Sequence, residues 1–237
     1  MPNRWRRSIA AWTWPATTDV AAPPSAVPQR SSAARTEPRI FGLAVGRFKV
    51  LLFAVALLPL ARWIWLAATD GLTANPVEFL TRSSGTWTLV ALLVTLAVSP
   101  LRNLLGQPAL LRVRRMCGLF TFFYACLHFT TYIWWDQWFD VVSILQDVAK
   151  RPFITMGFAG FLGMAALAAT STRGWMRRLG PRWQTLHKLV YVIGVLVLLH
   201  YWWQKAGKND FSAVFIYTLV FAGLMGWRLV RRRARQP

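Results

Sequence analysis

Six apolar blocks, each about as long as a bilayer is thick, are the feature that most constrains the fold of this 237-residue chain. They cover residues 48–66, 86–105, 116–135, 153–171, 183–203 and 211–230. A helix of roughly 20 residues rises about 30 Å, which is the thickness of a hydrocarbon core. A water-soluble fold would gather its apolar residues into one core, whereas separate blocks of this length favour membrane spans. The sequence therefore predicts an all-α integral membrane protein built as a six-transmembrane-helix bundle.

The basic residues lie beside these blocks, and their distribution predicts the orientation of the chain. The formal net charge is +20. Such a charge could indicate a nucleic-acid partner, but Lys and Arg flank the apolar blocks instead of lining one helix face. We therefore expect a lipid bilayer and no nucleic acid as a partner. Twenty-one of the 28 Lys and Arg residues fall on the side that carries both termini, and the positive-inside rule then places both termini in the cytoplasm.

The first 40 residues have a different composition from the rest of the chain. Six prolines stand there among Ser, Ala, Thr and Arg, without helical periodicity. This pattern predicts a disordered, basic, Pro-rich cytoplasmic region over residues 1–40. The six-helix domain is predicted over residues 41–237. The pair Arg6-Arg7 is followed by no apolar segment, so we do not expect a cleaved signal peptide.

All three histidines of the chain, His128, His187 and His200, lie in predicted spans. An imidazole in hydrocarbon is costly unless it has a partner, and neutral imidazole is a common axial ligand of haem iron. By helical rise, His128 lies about 18 Å and His200 about 25 Å from the cytoplasmic edge of the membrane. Because helices tilt and block boundaries are approximate, these two side chains can meet in the outer half of the bilayer. The sequence thus predicts His128 and His200 as a pair of ligands.

The third histidine is predicted to belong to a separate, inner region. His187 lies about one turn inside the cytoplasmic boundary, and on an ideal helix it points about 220° away from His200. Arg114 falls near the same depth on the face of His128, so an inner site would offer one histidine and one arginine. Arginine is a poor iron ligand but a good partner for a haem propionate or a phosphate. The alternative is that the histidines only form hydrogen bonds between helices, as in a small transporter or a membrane assembly scaffold.

Several short stretches resemble one known family. They are residues 75–85 (NPVEFLTRSSG), 99–101 (SPL), 114–119 (RRMCGL), 122–129 (FFYACLHF), 150–155 (KRPFIT), 179–191 (LGPRWQTLHKLVY) and 200–202 (HYW). In order and spacing they resemble the MsrQ (YedZ) family, the haem-binding membrane subunits of the periplasmic methionine sulfoxide reductase system. That family belongs to the ferric-reductase-like transmembrane group. The resemblance covers roughly residues 41–230.

This resemblance implies a function and a set of site residues. It implies a haem b electron conduit in the bacterial inner membrane, with His128 and His200 as outer haem ligands and His187 in the inner region. NADPH oxidases, of the same group, carry a histidine where this chain has Arg114. The resemblance therefore leaves open whether the chain binds one haem or two. FMN is implied as a further cofactor by the resemblance only.

The resemblance also implies partners. A quinone pool or a cytosolic flavin reductase would supply electrons, and a periplasmic molybdopterin methionine sulfoxide reductase would form a heterodimer with the chain and receive them. The chain would then be an electron-transfer subunit and not the catalytic one. The alternative on the same scaffold is a stand-alone ferric or other metal reductase.

Overall fold

A computed structural model describes residues 37–206 and 210–234 of the protein. The region predicted to be disordered lies outside the described residues except for its last four. A short antiparallel hairpin comes first, with strands β1 (Arg39–Ile40) and β2 (Leu43–Ala44). The helices that follow are α1 (Val45–Ala68), α2 (Pro76–Leu104), α3 (Leu111–Thr131), α4 (Val141–Lys150), α5 (Pro152–Ala169), α6 (Arg173–Leu179), α7 (Pro181–His187), α8 (Leu189–Ala206) and α9 (Ser212–Arg233).

Among the described residues, six helical stretches are long and apolar enough to cross a membrane, as the sequence predicts. They are Val45–Ala68, Pro76–Leu104, Pro108–Asp136, Pro152–Ala169, Pro181–Ala206 and Ser212–Arg233. Successive spans run in opposite directions, so the bundle has two ends. The arginine-rich end carries the start of α1, the α2–α3 connection, α6 and the end of α9. The other, which carries α4, is the opposite end.

Helix α2 begins at Pro76, whereas the predicted span begins at residue 86, so the prediction missed its first turns. The Asn75 side chain accepts a hydrogen bond from the Glu78 backbone N–H at 3.1 Å, and proline is favoured at the first helical position. Glu78 and Arg82 lower the hydropathy of these turns, but they pair with each other one helical turn apart. The low hydropathy of these polar residues is therefore why the sequence prediction placed the start of this well-capped helix too late.

A polar seam runs between α2 and α3 in the bundle interior. Four hydroxyl side chains are buried there: Ser84, Thr88, Thr95 and Thr121. Each donates a hydrogen bond to a backbone carbonyl of its own helix, at 2.8–3.1 Å. The hydroxyls of Thr95 and Thr121 also lie 3.3 Å apart across the two helices. Because each hydroxyl has a partner, the seam adds hydrogen bonds between spans without leaving an orphaned polar group.

Two departures from regular α-helix lie beside predicted site histidines. After His128, the helix widens over Tyr132–Asp136 into a turn with i→i+5 bonds. The fifth predicted span is interrupted at Lys188, between α7 and α8, where the Lys188 backbone N–H donates to the Thr185 carbonyl three residues back. The predicted fifth span is confirmed as Pro181–Ala206, but the angle of about 220° between His187 and His200 assumed an ideal helix and does not carry across this turn.

Helix α4 joins the third and fourth spans at the opposite end of the bundle, and the sequence analysis did not predict it. The Asp140 carboxylate accepts hydrogen bonds from the backbone N–H groups of Ser143 and Val142. Hydrogen bonds from the Ser143 backbone N–H and hydroxyl, and then from the Val142 backbone N–H, hold the pKa of Asp140 below its ordinary value. Asp147 and Val148, one turn after Ser143 on the same face of the helix, are partly buried.

Helices α2 and α3 pack together, and α5 packs against α8. On α5, a Cβ at Gly163 would lie 2.9 Å from Ile193 Cγ1, and a Cβ at Gly160 would lie 3.3 Å from Val197 Cγ2. Small residues at these positions let the two helix backbones approach closely. The most buried side chains of the resulting core are Leu89, Leu92, Leu96 and Ile193.

The β1–β2 hairpin packs at the arginine-rich end. Ile40 is completely buried and lies in a cluster with Val98, Leu110 and Val113. The Val45 backbone N–H donates to the Pro38 carbonyl at 3.2 Å and ties the hairpin to the start of α1. The predicted domain boundary at residue 41 therefore falls inside this hairpin.

We expect Gly194→Ala to destabilise the bundle. A Cβ at Gly194 would overlap the ring of Phe221, which joins α8 to α9. Overpacking of this kind costs about 1–3 kcal/mol, and the thermal unfolding temperature of the purified protein should fall. Gly223→Ala on α9 is the matched control, because a Cβ there meets nothing within 4 Å. An equal loss of stability in both variants would contradict this account of the α8–α9 contact.

Candidate functional site

The structure brings His128 of α3 and His200 of α8 next to each other, with one ring steeply inclined to the other. Their ring centroids lie 6.2 Å apart, and the ring planes make an angle of 71°. Both imidazoles lie toward the opposite end of the bundle, as estimated from their depth in the sequence, and both are partly buried.

Each imidazole of this pair is fixed by a backbone carbonyl. His128 Nδ1 lies 2.9 Å from the Thr81 carbonyl oxygen, and His200 Nδ1 lies 2.7 Å from the Phe153 carbonyl oxygen. A carbonyl oxygen can only accept, so each Nδ1 carries the proton and donates it. Each Nε2 is then left with a free lone pair, which is the tautomer that a metal requires.

The spacing of the two rings fits a metal ion held between them. Metal–imidazole bonds of about 2 Å, with about 1 Å more to each ring centroid, put two opposed centroids about 6 Å apart. The observed 6.2 Å agrees with this value. Within residues 37–206 and 210–234, no group of three or more His, Cys, Asp or Glu side chains gathers to complete a metal site. Two imidazoles with free Nε2 atoms at this spacing are a donor set that suits a bis-histidine haem, in which the macrocycle supplies the other ligands.

Glycines make room for both rings. A Cβ at Gly157 would lie 2.8 Å from His200 Nδ1, and a Cβ at Gly85 would lie 3.1 Å from His128 Cε1. Any larger residue would push the imidazole away from its carbonyl partner. The sequence analysis singled out neither glycine as a site residue.

The two halves of the site repeat one spacing. A carbonyl at residue 81, a glycine at 85 and a histidine at 128 correspond to a carbonyl at 153, a glycine at 157 and a histidine at 200. In both halves the glycine follows the carbonyl by 4 residues and the histidine follows it by 47. The α2–α3 and α5–α8 pairs thus present their histidines by the same device. This periodicity was the sequence signal that could have identified Gly85 and Gly157.

A cavity of about 540 Å³, separate from the pair of His128 and His200, opens toward the arginine-rich end. Both inner residues predicted from the sequence, Arg114 and His187, line it. Its other polar and aromatic lining residues are Thr95, Arg115, Thr121, Ser171, Trp183, Gln184, Lys188, Tyr191 and Arg232. Among the described residues of this lining there is no Asp or Glu, so the cavity favours an anionic ligand.

His187 is held against the wall of this cavity. Its ring stacks on Trp183 with centroids 3.9 Å apart, and its Nδ1 donates to the Trp183 carbonyl at 3.1 Å. The Ser171 hydroxyl lies 3.4 Å from His187 Nε2. No second histidine of the described residues lines the cavity, so this site differs in kind from the pair of His128 and His200.

Arg228 adds to the positive charge near this cavity, although the sequence analysis counted it only for topology. Its Nη2 donates to the Leu96 carbonyl at 2.6 Å, and its guanidinium lies 5.0 Å from the centroid of the Tyr191 ring. Nη1 is buried and has no hydrogen-bond partner among the described residues. The charges of Arg114 and Arg232 act on it from nearby.

Comparison with known proteins bears on what these two sites do. The family described as "Ferric reductase like transmembrane component" matches residues 82–198. A protein of Bordetella pertussis named "Protein-methionine-sulfoxide reductase heme-binding subunit MsrQ" is 66% identical over 193 residues, which cover 80% of this chain and 94% of that protein. Proteins with the same name from Ralstonia nicotianae and Xanthomonas campestris are 56% and 45% identical, over 79% and 78% of this chain and 88% and 86% of their own lengths.

These identities extend over most of the chain and of each relative, and they agree with the six spans of the structure. The resemblance derived from the sequence motifs is confirmed. The protein is a multi-pass membrane protein of the ferric-reductase-like transmembrane group, and it belongs to the MsrQ family.

Proposed function

We propose that this chain is the haem b electron-transfer subunit of a methionine sulfoxide reductase system. The observation that carries the proposal is the opposed pair of imidazoles, His128 and His200, with a spacing that fits one metal ion. The relatives' name, which describes a haem-binding subunit of that reductase, supports it. His128 and His200 would be the axial ligands of this haem.

Bound haem would supply one-electron redox chemistry, and the chain's residues would set its conditions. The carbonyls of Thr81 and Phe153 hold the two rings in orientation and make each Nε2 more basic. Gly85 and Gly157 let the ligand rings lie against the helix backbones. Axial ligation and burial are the levers by which a protein tunes haem potential.

The charge distribution supports a direction for the electrons. We place the arginine-rich end in the cytoplasm by the positive-inside rule, and the pair of His128 and His200 near the periplasmic face of a bacterial inner membrane. Electrons from the quinone pool or a cytosolic flavin reductase would enter at the arginine-rich end. They would leave near His128 and His200 for a periplasmic molybdopterin methionine sulfoxide reductase, bound as a heterodimer, which repairs oxidised proteins.

The inner cavity would hold a second redox cofactor. Its cationic lining, with Arg114 and Arg232, suits an anionic group on an aromatic body. A second haem, through its propionates, and FMN, through its phosphate, share this chemistry. His187 would ligate or orient the cofactor from the stacked position on Trp183.

A difference spectrum of the purified protein tests the proposal. The dithionite-reduced minus oxidised spectrum should show a b-type haem, and His128→Ala or His200→Ala should remove most of its signal, because each removes one axial ligand. His187→Ala should retain the signal of the haem between His128 and His200.

The absence of any b-type signal would favour a transporter or scaffold over an electron carrier. Reduction of a ferric chelate by the haem-loaded chain alone, with no electron transfer to the periplasmic reductase, would favour a stand-alone metal reductase instead. Copurification with that reductase and its haem-dependent reduction are the expected results.

We expect Gly157→Ala to lower haem content more than Gly85→Ala. The new methyl group would lie closer to His200 than the corresponding one to His128, and displacing either ring costs about 1–3 kcal/mol. The haem-to-protein ratio after purification measures the effect. Gly226→Ala, whose Cβ meets nothing within 4 Å, is the control and should keep the full ratio. The reverse order of the two site variants would contradict the proposed geometry.

Arg114→Gln should weaken binding in the inner cavity without affecting the haem of His128 and His200. Loss of one charge-assisted contact costs about 1.5–3 kcal/mol, roughly ten- to a hundredfold in affinity. Haem stoichiometry and the fluorescence of released flavin would show which cofactor is lost. Arg178→Gln, on the same end of the bundle but outside the cavity lining, is the charge-matched control. Equal loss in both variants would argue against a site in the cavity.

A further inference from the structure

One carboxylate connects the segments that follow His128 and precede Phe153. Asp147 Oδ2 accepts hydrogen bonds from Gln137 Nε2 at 2.8 Å and from the Tyr132 hydroxyl at 3.3 Å. Asp147 Oδ1 forms an ion pair with Arg151 Nε at 3.3 Å. Both oxygens of one side chain are therefore occupied, and their partners come from two different parts of the chain.

The first two partners belong to the support of His128. Tyr132 is one helical turn after His128, and its backbone N–H donates to the His128 carbonyl. Tyr132 begins the widened turn, and Gln137 follows it. The position of this turn is therefore linked directly to the end of the helix that presents His128.

The third partner belongs to the support of His200. Arg151 is the residue that precedes α5, and its carbonyl accepts hydrogen bonds from the backbone N–H groups of Ile154 and Thr155. Phe153, whose carbonyl holds His200 Nδ1, lies within this first turn. The Thr155 hydroxyl also donates to the Val148 carbonyl, so α4 and the start of α5 are joined a second time.

We propose that Asp147 is a positioning residue that keeps the supports of His128 and His200 in register; the proposal rests on the haem function above. The two histidines stand on different helix pairs, so their relative placement depends on contacts between the pairs. Asp147 provides such a contact, between the segment that follows His128 and the residue that precedes α5. The Asp147 side chain is only 18% exposed, so water screens its hydrogen bonds to Gln137 and Tyr132 less than those of a surface carboxylate. The Arg151 side chain is 58% exposed, so its ion pair is screened more strongly.

The chemistry of the contact requires a carboxylate. An ionised Asp is an acceptor at both oxygens, whereas Asn has one acceptor and one NH₂ donor. In Asp147→Asn, either the Gln137 side or the Arg151 side loses its acceptor, while the volume stays the same. The widened turn and the start of α5 would then shift relative to each other, and with them the two imidazole planes.

The test is electron paramagnetic resonance of the ferric, haem-loaded protein, together with its midpoint potential. The low-spin ferric signal depends on the angle between the two axial imidazole planes, which is 71° here. Asp147→Asn should shift or split the lowest-field feature and shift the potential, with haem content largely retained. Asp140→Asn is the matched control, because it removes a carboxylate from the same helix while Asn still caps it.

Two single-sided variants, Gln137→Ala and Arg151→Ala, complete the test. Each should give the same kind of spectral change, because loss of either side breaks the link, and neither should add to the change in the Asp147→Asn background, because both act through that carboxylate. An Asp147→Asn signal identical to that of the unmodified protein, or equal changes in Asp140→Asn, would overturn the positioning role. If Asp147→Asn fails to bind haem, the single-sided variants decide the question. Spectral changes of Gln137→Ala and Arg151→Ala that simply add in the double variant would overturn the proposal. A lack of haem in the unmodified chain would instead overturn the proposed function.

Discussion

The bonds from the Nδ1 atoms of His128 and His200 to backbone carbonyls are the interactions on which the site depends. Each bond fixes three properties together: the tautomer, the orientation of the ring and the availability of Nε2. Inside an α-helix each such carbonyl already accepts from the N–H group four residues later, so the imidazole binds its second lone pair. The Thr81 and Phe153 carbonyls lie in the first two turns of α2 and α5, where a histidine of the packed partner helix reaches them. The polar requirement of a histidine inside a membrane is thereby met by backbone.

Close approach of helices is the geometric condition for these bonds. A histidine reaches the carbonyl of a neighbouring helix only where no side chain intervenes, and Gly85 and Gly157 provide that space one turn later. Along the same interface, Gly160 and Gly163 bring α5 against α8. Because lipid offers no hydrophobic drive for helix association, such packing and interhelical hydrogen bonds must stabilise the bundle.

The sequence predicted the spans and the pairing of His128 with His200 because both depend on helical rise and hydropathy alone. It missed the start of α2, whose polar residues pair locally, and the break at Lys188, which only the tertiary structure determines. Helix α4 escaped prediction since ten residues are too few for a span. Composition cannot predict which backbone carbonyls bind the histidines, although the repeated spacings of 4 and 47 residues indicate where they lie.

The two sites differ in a way that follows from their surroundings. Two neutral imidazoles, each bound to a carbonyl, bring no net charge to the pair of His128 and His200. The inner cavity instead combines one histidine with several cations, among them Arg114 of α3 and Arg232 of α9. Like charges gathered around one cavity repel each other, and a bound anion would relieve that repulsion. An anionic cofactor would therefore stabilise the arginine-rich end itself. Occupancy and the packing of α9 should be coupled there, whereas the site of His128 and His200 is organised by its own helices.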